Sequence, residues 1–225
     1  MCASYEARFS VTQLVEAFDH HGAPLRFPRG LPNIEPVDEV RPTDLAQTVR
    51  AISMEDGADG EAAELVPLRF GFRGPERPGG KGKPPPVINF RSEGRAFSNG
   101  ERGGRALIPV SGFYEFTGST YPKTRWILRG VDQPVLALAA IWRAGAEGEP
   151  DAFSLLTAEP GPDVAPYHTR GVLPLPPAAW ADWLFDRRPA PELLIPPPAG
   201  TLAAFSAPRG GASTPPSGPA MNGLI

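Results

Sequence analysis

The run RALIPVSGFYEF at residues 105–116 decides the fold class, because it is a long strand-type segment that ends in alternating aromatic residues. Successive side chains of a strand point to opposite faces, so Phe113 and Glu115 share one face, while Tyr114 and Phe116 share the other. In the phase that turns Phe113 inward, Glu115 lies in an apolar interior. In the opposite phase, Glu115 faces solvent. The run therefore predicts a strand that either buries or exposes a carboxyl group.

Six further segments have the composition of strands, and Gly/Pro-rich turns such as RPGGKGKPPP (77–86) and RAGAEGEP (143–150) separate several of them. The segments are AQTVRAIS (46–53), AELVPLRFGF (63–72), PVINF (86–90), RWILRG (125–130), PVLALAAIW (134–142) and AFSLLT (152–157). A further short strand is expected at the N-terminus. The predicted fold class is α+β: a single domain with a mixed or antiparallel sheet that curls toward a barrel, and a few short helices.

Two helices are predicted. Ser10 and Gln13 have the spacing of a capping box, and Val11, Leu14, Val15 and Phe18 repeat at helical spacing after them. Gly22 supplies the stop, and His20 and His21 are read as surface residues. The segment PPAAWADWLF (176–185) is the second helix, with a proline in its first turn.

Composition limits the class of protein. The chain has 225 residues, of which 41% are hydrophobic and 21% charged, with 25 glycines and 30 prolines. It has one cysteine, which excludes an intrachain disulfide and a cysteine-based zinc cage. No apolar run approaches the roughly 20 residues of a membrane span. A cytoplasmic monomer is expected, with a domain over 1–206 and a disordered Pro/Gly/Ser-rich tail over 207–225.

Charge is unevenly distributed. The net charge is −3, which argues mildly against a nucleic-acid partner, but residues 69–129 contain 12 Lys and Arg against 4 Asp and Glu. Such a basic segment binds phosphates locally, or is a solvated charge run in loops.

Four places carry candidate chemistry. Met1 is usually removed before a small residue, and its removal would give Cys2 both an α-amine and a thiol. The second place is Asn89 with Arg91 and Glu93, the third is Glu115, and the fourth is His168. Each has a structural alternative: a frayed end, a turn cap, a solvent-facing carboxylate and a structural histidine.

Taken together, the Met-Cys start, NFRSE (89–93), GFYEF (112–116) and PYHTR (166–170) resemble the SOS response-associated peptidase (SRAP) family in order and approximate spacing. The runs LTAEP (156–160) and PPAAWADWL (176–184) look like segments of the same family. The resemblance covers residues 2–186. It implies removal of Met1 and a covalent crosslink between Cys2 and abasic sites in single-stranded DNA.

The resemblance also implies residue roles. Cys2 would form a Schiff base through its amine and then a thiazolidine through its thiol, with Glu115 as a proton shuttle for sugar ring opening. His168 would move protons in ring closure or reversal, and Asn89 would hold the N-terminus or the sugar. The residues expected at the DNA are Arg91, Arg170, Thr157 and Phe70. No cofactor, metal or membrane is expected.

The sequence departs from the family pattern at several positions. Ala3 and Ser4 follow Cys2 where the family often has an arginine, and Phe70 stands where the family has a tryptophan that wedges between bases. Thr169 replaces an acidic residue after the histidine. The resemblance therefore predicts DNA binding less firmly than it predicts the crosslinking chemistry. The peptidase label of the family reflects the self-removal of Met1, and the Schiff-base step of the crosslinking is lyase-like.

Two other functions stay open. An N-terminal-nucleophile amidohydrolase or glutaminase would also use Cys2, with its α-amine as base. A non-catalytic nucleic-acid-binding relative would have kept the fold without the chemistry. Release of ammonia from an amide indicates the first, and nucleic-acid binding that is indifferent to Cys2→Ser indicates the second.

Overall fold

The computed structural model describes residues 3–28, 30–52, 61–75, 79, 82 and 84–208, and every structural statement below refers to these residues. Cys2, Ser53, most of the turn predicted at 77–86 and residues 209–225 of the predicted tail lie outside this description.

The elements follow one another along the chain with short helices between many strands. The strands are β1 Tyr5–Ala7, β2 Leu25–Arg26, β3 Val37–Val40, β4 Leu45–Ala51, β5 Ala63–Phe70, β6 Asn89–Arg91, β7 Gly103–Val110, β8 Gly112–Thr117, β9 Thr124–Gly130, β10 Leu136–Arg143, β11 Ala152–Ala158, β12 Gly171–Val172, β13 Pro174–Leu175 and β14 Leu202–Ser206. The helices are α1 Val11–His20, α2 Trp180–Leu184 and α3 Ala190–Leu193, with a 3-10 turn at Pro177–Ala179 before α2. Among the described residues, none of these helices has the length and apolar character of a membrane span.

The capping box predicted for α1 is confirmed. The Ser10 hydroxyl accepts from the Gln13 backbone N–H, and the Gln13 side chain accepts from the Ser10 N–H. Leu14 and Phe18 are buried, and Gly22 follows in the left-handed region at φ 72°. The helix therefore begins and ends where local sequence signals dictate.

One sheet has five antiparallel strands in the order β14-β9-β8-β1-β3. The other has the order β12-β11-β10-β7-β4-β5-β2, and β11 also pairs with β5, which closes a ring. β6 pairs in parallel with β11, and β13 pairs with β10. The two sheets, one of them ring-like, and the few short helices confirm the predicted α+β class with a curled, mixed sheet.

The run at residues 105–116 is not one strand, as predicted, but two strands in different sheets. β7 pairs with β10 and β4 in the ring-like sheet, whereas β8 pairs with β1 and β9 in the five-stranded sheet. The chain changes sheet at Ser111, whose backbone N–H donates to the Glu6 carbonyl and whose hydroxyl donates to the Glu6 carboxylate. At Gly112, a Cβ would come within 2.9 Å of Ile127 and Arg129 on β9, so only glycine allows this close approach.

An apolar core fills the space between the sheets. It includes Phe113 and Leu128 from the five-stranded sheet, and Ile108, Leu138 and Phe153 from the ring-like sheet. A second core lies on the other face of the ring-like sheet, where α1, α2 and α3 pack. Both faces of the ring-like sheet are thus covered by apolar side chains.

The remaining sequence predictions fare unevenly. The helix predicted at 176–185 is a 3-10 turn followed by α2, and the strand predicted at 86–90 begins only at Asn89. The short strands β2, β3, β12, β13 and β14 were not predicted. Ala207, where the tail was predicted to start, is buried and donates its backbone N–H to the Arg125 carbonyl, so described structure continues past β14.

Candidate functional site

Glu115 points into the space between the sheets. It lies on β8 two residues after the fully buried Phe113, and only 1% of the Glu115 surface is exposed to solvent. Its cross-strand partner on β9 is Trp126. The sequence allowed two orientations of this strand, one with Glu115 facing inward and one with Glu115 facing solvent. The structure has the orientation that buries the carboxyl group.

The start of the described chain runs beside this carboxyl group. Tyr5 on β1 pairs with Phe113, and the Ser4 carbonyl accepts the backbone N–H of Tyr114 at 3.0 Å. Ser4 is therefore opposite the residue that precedes Glu115. Cys2 is outside the described residues, but covalent geometry keeps its Cα about 3.8 Å from that of Ala3.

The other face of the five-stranded sheet anchors the same segment. The Ser4 hydroxyl donates to Glu39 at 2.9 Å, and Glu39 also pairs with Arg125 at 2.9 Å and Arg41 at 2.7 Å. Burial raises the pKa of Glu39, but hydrogen bonds from Arg41 and Ser4 and the charge of Arg125 outweigh it, and the pKa is lowered overall. An ionised Glu39 thus holds β1 and β9 together around the chain start.

Asn89 and Arg91 lie on β6 beside Thr157 at the end of β11. The parallel register pairs Asn89 with Leu155 and Arg91 with Thr157. Leu155 belongs to the core between the sheets, so Asn89, Arg91 and Thr157 share the face that continues this core. Thr157 is buried, Asn89 is half-buried and Arg91 is exposed. This face therefore grades from apolar to polar at one end of the core.

Arg170 ties the loop that bears His168 to this end of the core. Its guanidinium donates to both Glu93 oxygens at 2.6 and 2.9 Å, and to the Thr157 carbonyl at 2.7 Å. The hydrogen bond from Arg170 lowers the pKa of Glu93. Because the guanidinium is committed to Glu93 and Thr157, a DNA phosphate at Arg170 would have to replace an existing ion pair.

His168 has a defined hydrogen-bond arrangement. The backbone N–H of Arg170 donates to its Nδ1 at 3.0 Å, which assigns the proton of the neutral ring to Nε2. Burial lowers the pKa of His168 most, the hydrogen bond from the Arg170 backbone raises it, and the positive charge of Lys123 lowers it, so that the pKa is lowered overall. The ring is therefore neutral near pH 7 and presents an Nε2–H donor.

Two aromatic residues connect the His168 loop to the Glu115 strand pair. Tyr167, next to His168, packs on Trp126 with ring centroids 5.2 Å apart. Trp126 is opposite Glu115 and donates its indole N–H to the Thr117 hydroxyl at 2.9 Å. Sequence reasoning did not select either aromatic residue. Their signals were weak: Trp126 is one aromatic residue within a predicted strand, and Tyr167 merely precedes the histidine.

The predicted stacking role of Phe70 needs correction. The Phe70 ring is 0% exposed, stacks on Phe153 with centroids 5.0 Å apart, and contacts Tyr5 at 5.6 Å. The ring is therefore fully enclosed in the core, and neither face is available to a nucleobase. Phe72, which follows it, is also buried.

The architecture and the motif residues define a class of β-rich proteins whose N-terminal strand runs beside a buried carboxyl group. The family model for the SOS response associated peptidase (SRAP) matches residues 1–206. The chain therefore belongs to the SRAP family. Membership of this family supports a DNA-related function associated with the SOS response.

Solved structures share the fold at low identity. A protein from Bordetella bronchiseptica has 22% sequence identity and a TM-score of 0.64, with 92% of this chain and 100% of that chain covered. A phage-related protein from the same organism also has 22% identity, with a TM-score of 0.62 and coverage of 92% and 94%. A protein from Bacteroides thetaiotaomicron has 15% identity and a TM-score of 0.55, with 76% and 78% covered. Among curated proteins, none matches significantly.

Proposed function

We propose that this protein detects abasic sites in single-stranded DNA by forming a covalent thiazolidine crosslink through Cys2 after removal of Met1. The observation that carries the proposal is the hydrogen bond between the Ser4 carbonyl and the Tyr114 N–H, beside the buried Glu115. It supports a reactive N-terminus next to a carboxyl group at the polar end of the core. Membership of the SRAP family supports the DNA partner.

The chemistry uses both nucleophiles of an N-terminal cysteine. The α-amine, with a reference pKa of about 7.7–8.0, is partly neutral at pH 7 and attacks the C1 aldehyde of the opened sugar. Loss of one water leaves a C=N bond, which is a Schiff base. The thiol sulfur then adds to that carbon while its proton passes to nitrogen. Nitrogen, Cα, Cβ, sulfur and C1 close a five-membered ring.

Glu115 is proposed to move the proton that opens the sugar. The closed hemiacetal becomes an aldehyde when the hydroxyl proton on C1 is removed and the ring oxygen is protonated. A carboxyl group accepts and donates such protons, and the buried position of Glu115 keeps it away from bulk water. Asn89 and Thr157 supply neutral polar groups along the adjoining face, suited to the sugar or the N-terminus.

His168 is proposed as the second proton-transfer group. It acts in its imidazolium form, which donates a proton to the carbinolamine hydroxyl that leaves as water. The neutral ring that remains after this donation is a base, which can then receive the thiol proton. Arg170 and Glu93 act as positioning residues, because they fix the backbone N–H that binds Nδ1.

The direct test is crosslinking to a single-stranded oligonucleotide with one abasic site. We expect a heat-stable shifted band on a denaturing gel, and a product mass equal to the two reactants minus one water. Intact single strands and Cys2→Ala should give no heat-stable band. Absence of the band for the wild-type protein, with release of ammonia from glutamine, would favour the amidohydrolase reading instead.

A comparison of two variants separates the amine step from the thiol step. Cys2→Ser and Cys2→Ala both keep an α-amine once Met1 is removed, so borohydride should trap their Schiff base as a stable adduct. Only the wild-type protein, which has Cys2, should give a stable product without borohydride. A heat-stable product from Cys2→Ser without reduction would contradict thiazolidine formation.

A further inference from the structure

The hairpin that joins β8 to β9 has a cleft at its tip. The cleft has a volume of about 380 Å³. It is lined by Phe116, Tyr121, Pro122, Lys123, Thr124, Arg125, Ser206 and Pro208. This space is large enough for a small aromatic ring system. None of the residues assigned above to the crosslinking chemistry lines it.

Tyr121 gives the cleft an unusual aromatic surface. It is 87% exposed, the highest value among the exposed large hydrophobic side chains of the described chain, whereas the other three tyrosines are buried or half-buried. Exposed aromatic rings in single-strand-binding proteins serve as platforms on which bases stack. Pro122 and Phe116 extend the apolar part of the wall.

The charge of the cleft suits a phosphate. Its lining includes two cations, Lys123 and Arg125, and no acidic residue. Arg125 is committed to Glu39 and stacks over the Tyr114 ring, with its guanidinium carbon 3.6 Å from the centroid. Lys123 is exposed. A cation beside an exposed ring is the arrangement that binds the backbone and base of one nucleotide.

The cleft opens on the face of the five-stranded sheet opposite Glu115, at the hairpin tip that borders the candidate site. Lys123 is close enough to His168 for its charge to act on that ring, after the larger effect of burial on the His168 pKa. Trp126, which follows on β9, contacts Tyr167 next to His168. A strand with its abasic sugar at Glu115 and His168 would therefore pass close to the hairpin tip.

We propose that this cleft binds a nucleotide close to the abasic one, with its base stacked on Tyr121 and its phosphate at Lys123. This inference rests on the proposed function, because it assigns part of the path of the same single strand. It also supplies a stacking surface, which the buried Phe70 does not.

The test measures binding apart from chemistry. The probe is a fluorescent single strand containing tetrahydrofuran, an abasic analogue without an aldehyde, so it binds without crosslinking. Fluorescence anisotropy at fixed salt should show that Tyr121→Ala weakens binding by about 5- to 150-fold, whereas Tyr121→Phe stays close to wild type. Lys123→Gln should reduce the slope of log affinity against log salt by about 0.7.

A cycle with a second probe isolates the stacking contact. When the bases that flank the analogue are also replaced by tetrahydrofuran, the wild-type protein should lose affinity and Tyr121→Ala should lose little more. Leu31→Ala and Arg26→Gln change an exposed apolar residue and an exposed cation elsewhere, and should bind like the wild type.

The outcomes separate this inference from the proposed function. Wild-type protein that crosslinks an abasic strand, with Tyr121→Ala and Lys123→Gln binding as tightly as the wild type, overturns the hairpin site alone. Equal loss in Tyr121→Ala and Tyr121→Phe overturns stacking. Wild-type protein that neither binds nor crosslinks any single strand overturns both proposals.

Discussion

The ring-like sheet and the five-stranded sheet use similar strands in different ways. In β7, Leu107 faces the helix side and Ile108 faces the core between the sheets, and both are fully buried. In β8, Phe113 faces the core, but the opposite face of its sheet carries ion pairs and a small apolar cluster. Both faces of β7 are therefore apolar, whereas the five-stranded sheet has an apolar inner face and a largely polar outer face.

The contrast is sharpest where the two sheets meet. Along β8, the inward face changes within two residues from Phe113 to Glu115, and in the ring-like sheet Asn89 and Thr157 share the inward face with Leu155. Polar groups are tolerated here because hydrogen bonds from Trp126 to Thr117 and from Arg170 to Thr157 satisfy several of them. The candidate site thus lies where the apolar core between the two sheets gives way to polar side chains.

The largest expected effect tests the ring-like sheet. Phe153→Ala removes a fully buried ring that stacks on Phe70, and should lower the free energy of unfolding by about 3–5 kcal/mol. The matched variant Phe205→Ala, on the outer face of the five-stranded sheet, should cost about 1–2 kcal/mol because its ring is half-buried. Urea unfolding measures both. Equal losses would contradict the contrast between the sheets.

A smaller loss is expected at the junction of the sheets. Glu6 is buried, accepts from the Ser111 hydroxyl and binds Arg129 through both of its oxygens. Glu6→Gln should lower the free energy of unfolding by about 1–3 kcal/mol, because Arg129 loses its charged partner. Glu16→Gln, at an exposed helix position, should stay within about 0.5 kcal/mol of wild type. Equal losses of stability in Glu6→Gln and Glu16→Gln would contradict the role of Glu6 in joining the two sheets at Ser111.

The next prediction concerns pH. The pKa of Glu39 is lower in the folded protein than in the unfolded chain, so the folded state favours the ionised form. Its stabilisation is present above the unfolded pKa of about 4.3, and is lost as pH falls through the folded pKa. Unfolding curves at pH 7 should show Glu39→Gln less stable than wild type, and the gap should narrow below about pH 4. A gap that is independent of pH would contradict this role.

How far the sequence predicts this molecule depends on the range of the interactions involved. The capping box at Ser10 and the cores of the long strands follow from neighbours in sequence, and these were predicted well. The change of sheet at Ser111 and the pairing of β1 with β8 depend on Glu6 and Gly112 meeting residues far away, so no local pattern reveals them. The burial of Phe70 is similar, because its partner Phe153 comes from a strand that the sequence does not place beside it.

The residues of the candidate site could also be predicted from the sequence only where short local patterns reveal them. Glu115 could be singled out from alternation, and His168 from a short motif. The ion pair between Glu93 and Arg170 joins residues 77 positions apart, so its role in holding the His168 loop is visible only in the folded chain. The Ser4–Glu39–Arg125 network has the same origin.

The smallest effect on stability should come from Glu93→Ala. The Glu93 carboxylate is exposed, and Arg170 keeps its hydrogen bond to the Thr157 carbonyl, so the free energy of unfolding should change by no more than about 0.5–1 kcal/mol. The rate of crosslinking should nevertheless fall, and its pH profile should shift, because a looser Arg170 N–H changes the hydrogen bonding of the His168 ring. Rates against pH on abasic single strands measure this. Thr169→Ala is the matched control, and an unchanged pH profile in Glu93→Ala would contradict the positioning role.

The pairing of β1 with β8 also sets an order of events during synthesis. Tyr5 meets Phe113, which the ribosome adds more than a hundred residues later. At synthesis rates of about 5–20 residues per second, the N-terminal strand waits on the order of 5–20 s for its partner. Its other partner, β3, is added much earlier, so β1 can pair on one side while its β8 side stays open. The contact that brings the chain start beside Glu115 therefore forms only after roughly half of the chain has been made.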